Sequence, residues 1–141
     1  MIWKVKPTVE ELEKAYPNKN HIGEYIGIVI TEIGDDYLAG KMPVDHRTTQ
    51  PMGLLHGGAS CVLAESLGSM AGALCVDLSK QYVVGLEINA NHLRGVKSGW
   101  VYGKATPIHL GRATQVWDIK IVNEEQKLVC ISRLTLAVQN F

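Results

Sequence analysis

Residues 54–76, LLHGGASCVLAESLGSMAGALCV, join a pair of glycines to a proline-free run rich in Ala, Leu and Ser. Val62, Leu63, Leu67, Met70 and Leu74 recur at helical spacings, which predicts a helix over 57–76. At about 1.5 Å per residue it is roughly 30 Å long, enough to cross a small domain. A second face carries Gly58, Cys61, Glu65, Gly68, Ser69 and Gly72, three or four residues apart and small except for Glu65. Glycine inside a helix costs about 1 kcal/mol relative to Ala, so Gly68 and Gly72 imply a close approach, either by packed structure or by a ligand.

Glu65 is the one acidic residue of this run and lies near Val62 and Leu67. Glutamate is seldom buried without a partner, so it either points to solvent or has work to do. At the helix start the N–H groups of Gly57 and Gly58 lack intrahelical acceptors, and the positive end of the dipole favours an anion. A developing oxyanion at the Gly57 N–H and a carboxylate two turns along are the elements of an acyl-transfer site.

The 141 residues fit one domain, 1–141, and 46% hydrophobic content is enough for a real core. The 14 basic residues balance 14 acidic ones, leaving no net field to steer the chain to nucleic acid or an anionic membrane. Cys61, Cys75 and Cys130 are widely spaced in apolar stretches, which argues for reduced core thiols against a disulfide framework or zinc site. With no signal region and no run of about 18 apolar residues, the expectation is a soluble, cytoplasmic protein.

Outward from the central stretch, Thr8-Val9-Glu10-Glu11 matches a capping box and predicts a helix over 9–16, ended by Pro17, that acts as a lid or an outer clasp. Residues 21–25 read ambiguously, as one further helical turn. Strands are expected over 27–33 and 37–44, joined as a hairpin by Gly34-Asp35-Asp36. The polar connection 45–55 delivers the chain to the helix and puts Gln50 and His56 beside Gly57. Gln50 either caps loop carbonyls or meets a ligand; His56 either orients the loop or takes part in chemistry. Four more strands are expected over 82–94, 99–107, 111–122 and 127–138. In the first, Tyr82, Val84, Leu86, Ile88 and Ala90 share one face and Glu87, Asn89 and Asn91 the other, which is left for solvent or a second subunit. Six strands with one long helix after the second predict an α+β fold: a mostly antiparallel sheet, concave around the helix.

Gln50, LLHGGAS at 54–60, AES at 64–66 and GLEINANHLR at 85–94 together resemble hotdog-fold acyl-CoA thioesterases. Within these the chain looks most like 1,4-dihydroxy-2-naphthoyl-CoA hydrolases of menaquinone biosynthesis and the enterobactin-pathway proofreading thioesterases. MPVDHRT at 42–48 and HLGRATQVW at 109–117 extend the likeness over nearly the whole chain. The resemblance implies a curved six-stranded antiparallel sheet around the helix, subunits paired edge to edge, a homotetramer made of two dimers, and sites at the dimer interface.

It also implies roles. Glu65 is the nucleophile or the general base, the Gly57 N–H the oxyanion donor, Gln50 and His56 orient the thioester, and Ser69 helps to hold a water. Arg94, Lys97, His109 and Arg112 are candidates for the coenzyme A phosphates, His92 for the acyl pocket or the interface, and Met70 for the acyl group. A thioester needs neither metal nor cofactor, and no G-x-S-x-G elbow is present. The implied reaction is hydrolysis of an acyl-CoA thioester, aryl for preference. Alternatives are proofreading of acyl or aryl carrier-protein thioesters, a non-catalytic acyl-CoA-binding module and, last, dehydration or isomerisation of hydroxyacyl thioesters.

Overall fold

The computed structural model describes residues 1–141. Its elements are α1 (Val9–Ala15), α2 (Ile22–Tyr25), β1 (Val29–Ile33), β2 (Leu38–Pro43), α3 (Gly57–Leu74), β3 (Gln81–His92), β4 (Trp100–Leu110), β5 (Thr114–Val122) and β6 (Leu128–Asn140). All strand pairings are antiparallel, in the order β1-β2-β4-β5-β6-β3, so β1 and β3 form the two edges. This is the α+β architecture expected, with α3 against the concave face of the sheet.

Strand alternation builds that face. On β5, Trp117, Ile119 and Ile121 are fully buried while Lys120 is exposed. On β6, Cys130, Ser132, Leu134 and Leu136 point inward. Leu63, Leu67 and Ala71 of α3 close the core from the other side. Leu67 sits over Gly40 and Gly103, where an added Cβ would come within 2.8 Å and 2.7 Å of its methyls. A Cβ on Gly68 would lie 2.6 Å from Leu134 Cδ2, and one on Gly72 would run into Leu136. Helix-to-sheet packing therefore accounts for both helical glycines.

Gln115 closes a polar gap in this core. Its Nε2 donates to the Gly72 carbonyl at 3.2 Å, and its Oε1 accepts from Trp117 Nε1 at 3.0 Å. Gln115→Ala leaves the buried Trp117 Nε1–H unpaired, while the Gly72 carbonyl keeps the Cys75 N–H, so we expect a loss of about 2 kcal/mol in urea unfolding. A loss below about 1 kcal/mol contradicts this account of the clamp.

Several boundaries depart from expectation for local reasons. α3 ends at Leu74, with Cys75 as its cap; the Cys75 and Val76 N–H groups bond three residues back, tightening the last turn. α1 carries the capping box but stops at Ala15. Residues 22–25 form a single turn capped by His21. β4 continues past Pro107 to Leu110 because a bulge between Pro107 and His109 absorbs the missing N–H. Trp3, unremarked in the sequence, is buried; its indole donates to Gly34 O at 2.7 Å while the Lys4 N–H reaches Leu74 O, strapping the β1–β2 turn to the end of α3.

The largest correction concerns β3. A bulge between Gly85 and Glu87 shifts the register, so the alternation does not run through. Val83, Ile88 and Ala90 pack on the core, whereas Tyr82, Val84 and Leu86 are exposed at 38%, 44% and 61%. The apolar face read from the sequence is thus split by the bulge, and Tyr82 and Val84 share the outer face with Glu87, Asn89 and Asn91.

Candidate active site

The connection after β2 is ordered by its own polar groups. Arg47 donates to both carboxylate oxygens of Asp45, the shortest contact being 2.7 Å, and this bonding holds the Asp45 carboxyl down to about 2. Thr48 Oγ1 is buried and donates to Pro43 O at 2.7 Å. Gln50-Pro51-Met52-Gly53 is a β-turn closed by the Gly53 N–H on Gln50 O at 2.8 Å, with Gly53 at φ 79°. Gln50 Oε1 accepts the Met52 N–H, so its side chain is braced on its own turn. The His56 N–H then returns to Thr48 O at 2.8 Å, delivering His56 to the start of α3.

His56 is the N-cap of α3, a role the sequence reading left among its alternatives. Its Nδ1 accepts the Gly58 N–H at 2.8 Å, which puts the ring proton on Nε2. The Ala59 and Ser60 N–H groups bond to His56 O. Of the two glycine donors considered at the helix start, Gly58 is therefore occupied and Gly57 is open.

Gly57 lines a cavity of about 340 Å³ together with Gln50, Leu54, Leu55, Ser60, His92 and Arg94, among others. The His92 imidazole covers Gly57: a Cβ there would lie 2.7 Å from Nε2. Glu65 is half-buried further along the helix, its carboxylate against Gly85 at the β3 bulge, where an added Cβ would collide with Oε1. The Cys61 thiol is pushed up by burial first and by the Glu65 charge second. Ser69 lies one turn beyond Glu65, also half-buried.

Eight residues of helix separate Gly57 from Glu65, roughly 12 Å along the axis. A reacting carbonyl must sit about 3 Å from both an oxyanion donor and the attacking group. Within one chain the two elements therefore do not meet.

The remaining candidates scatter. Met70 is rotated about 140° around α3 from Glu65 and lines a separate cavity with Leu12, Tyr16 and His21 under the α1–α2 clasp. Arg94 reaches the Gly57 cavity. Lys97 lies beside Glu124 and Glu125. His109 is exposed near the end of β4, and Arg112 lines a cleft with Trp3, Cys75 and Gln81 at the opposite end of α3. No helix is long and apolar enough to cross a membrane.

The sequence pattern of the Thioesterase superfamily matches residues 52–130, which take in the lining of the Gly57 cavity apart from Gln50, α3 and the β3 bulge. The chain belongs to this superfamily. A 1,4-dihydroxy-2-naphthoyl-CoA hydrolase of Escherichia coli is 55% identical over 138 residues, covering 98% of this chain and 99% of that one. The proofreading thioesterase EntH of Cronobacter sakazakii is 51% identical over 141 residues, covering 98% of each. Among solved structures, a mutant thioesterase from Pseudomonas aeruginosa superposes with a TM-score of 0.96 at 54% identity over 100% of both chains. A thioesterase from Haemophilus influenzae gives 0.93 at 54% identity, covering 99% of this chain and 96% of that one. The protein is a hotdog-fold thioesterase, a hydrolase acting on acyl thioesters. That membership sets aside the non-catalytic binding module.

Two features of this thioesterase escaped the sequence. The contact of Glu65 with Gly85 joins positions on different elements, which no spacing rule pairs. The buried Ser60 hydroxyl shares the first turn of α3 with Gly57 but looks like one more small residue of the helix.

Proposed function

We propose that this thioesterase hydrolyses an aryl-CoA thioester, such as 1,4-dihydroxy-2-naphthoyl-CoA or hydroxybenzoyl-CoA, in a site shared by two copies of the chain. The observation that carries the shared site is the separation of Gly57 and Glu65, together with the long unpaired edge of β3 on which both of their contacts lie. An exposed edge of 12 residues invites pairing. Antiparallel pairing of two β3 edges about Asn89, with the bulged Leu86 left out of register, sets Gly85 opposite the partner's His92. The Glu65 carboxylate resting on Gly85 then approaches the cavity at the partner's Gly57.

In that site the Gly57 N–H holds the carbonyl oxygen, and Gln50 and the His56 Nε2–H orient the thioester. Glu65 either attacks the carbonyl or takes a proton from the attacking water, with Ser69 holding that water. The C–S bond breaks, the acyl group gains the water oxygen, and coenzyme A leaves as the thiol. His92 and Arg94 border the entry; Lys97 and Arg112 are the further cations for the phosphates and His109 a further hydrogen-bond donor, the last two drawn toward the partner's cavity by the same pairing. Met70 tunes the acyl side through the clasp.

In this reading 1–141 is a single thioesterase domain that acts in the cytoplasm, in menaquinone biosynthesis, as a homotetramer of two such dimers. The likeness to the proofreading thioesterase supports a second reading, release of aryl groups misloaded on a carrier protein. Thiol release from naphthoyl-, benzoyl-, phenylacetyl- and straight-chain acyl-CoA, and from a benzoylated carrier protein, separates them. We expect the aryl-CoA members to give the highest kcat/KM. Faster release from the carrier protein favours proofreading, and preference for straight chains overturns the aryl assignment.

A further inference from the structure

The cavity at the start of α3 holds a hydroxyl that the chemistry above does not use. Ser60 is 1% exposed and lines the cavity with Gln50, Gly57 and His92. Its backbone N–H bonds to His56 O at 3.2 Å, while its Oγ has no partner within the chain. No fully enclosed side-chain polar atom is left unpaired, so the remaining surface of Ser60 includes the Oγ, at the cavity wall. A buried serine without a partner is uncommon, since helical serines readily satisfy the hydroxyl on the carbonyl four residues back. This one stays free and turned to the cavity.

Its direction is set by the helix. Side chains lean toward the N-terminus, and residues three apart lie on one face with Cβ positions about 5–6 Å apart. Ser60 is three residues after Gly57, so its hydroxyl leans toward the space in front of the open Gly57 N–H. The open Gly57 N–H and the unpaired Ser60 hydroxyl thus belong to one turn of helix on the wall of one cavity.

We propose that Ser60 is a further catalytic residue: its hydroxyl donates a hydrogen bond to the thioester carbonyl oxygen beside the Gly57 N–H and strengthens it as negative charge develops there. No proton is transferred; the hydroxyl keeps its hydrogen through addition and collapse. The assignment rests on the reading that the carbonyl binds at Gly57.

Ser60→Ala removes one oxygen and little volume, so the fold should survive. With benzoyl-CoA as substrate we expect kcat to fall about 10- to 100-fold, with KM within about twofold of wild type and the urea midpoint unchanged. A second readout follows the bound carbonyl itself. In the Glu65→Gln background, infrared difference spectra of benzoyl-CoA labelled with 13C at the carbonyl should show the band at lower frequency with Ser60 than with Ser60→Ala. Wild-type kcat in Ser60→Ala, or one carbonyl frequency in both backgrounds, overturns the assignment while leaving Glu65 untouched. Full activity of Glu65→Gln, or no turnover of benzoyl-CoA by the wild type, overturns the underlying site reading and Ser60 with it.

Discussion

Glu65→Gln should lower kcat for aryl-CoA hydrolysis by about 10³- to 10⁴-fold and leave folding intact. The substitution keeps the shape of the side chain and removes the carboxylate that the proposed mechanism uses to attack the carbonyl or deprotonate water. Two observations argue that the fold tolerates it. Glu65 is half-buried, with its carboxylate against Gly85, and it forms no ion pair. The core contacts of α3 come from Leu63, Leu67 and Ala71 on another face. Thiol release and urea unfolding measured on the same preparation test both halves; a variant within tenfold of wild-type kcat contradicts the role given to Glu65.

Gly85→Ala should lower kcat by about 100-fold with stability unchanged or slightly raised. The added methyl meets Glu65 Oε1, so the carboxylate must shift. A misplacement of about 1 Å is enough to cost two orders of magnitude where attack geometry is set by packing. On the strand itself alanine is the easier residue, because glycine loses more backbone freedom on folding. Lower activity in a chain that unfolds no earlier separates positioning from damage. Stopped-flow single turnovers of benzoyl-CoA give the rate of the chemical step; a value within threefold of wild type contradicts the contact's importance.

The helix and all six strands were legible because they carry simple periods bounded by turn signals. Trp117, Ile119 and Ile121 alternate with polar neighbours, and Leu63, Leu67 and Leu74 recur at helical spacing. The faces of β3 were not legible, since Leu86 fits the alternation as an apolar residue and a bulge changes register without changing composition. Gln115 left a usable signal: a polar residue two before Trp117, in phase with Ile119 and Ile121, occupies an inward position and needs a partner inside. Trp3 was a comparable signal, a large apolar side chain in a segment otherwise passed over.

The donors of the site were easier to read than their arrangement. The two glycines after His56 announce a helix start open to an anion, yet only the hydrogen bonds reveal that His56 consumes the Gly58 N–H and leaves that of Gly57. For Gly68 and Gly72 the sequence favours close packing over a ligand, and the positions of Leu134 and Leu136 decide for packing. Gly85, inside a motif quoted for its resemblance, gained a physical reason only when the Glu65 carboxylate was found against it.

The most direct measurement is complementation between two impaired chains, Glu65→Gln and Gln50→Ala, unfolded together, refolded as a mixture and assayed for thiol release. Random reassortment makes about half of the dimers mixed, each with one intact site if Gln50 and Glu65 act across the interface. The account predicts recovery to about a quarter of wild-type activity from parents that are each nearly inactive. If each site is built from a single chain, every site in the mixture carries one substitution, activity stays at the parental level, and the shared site is wrong.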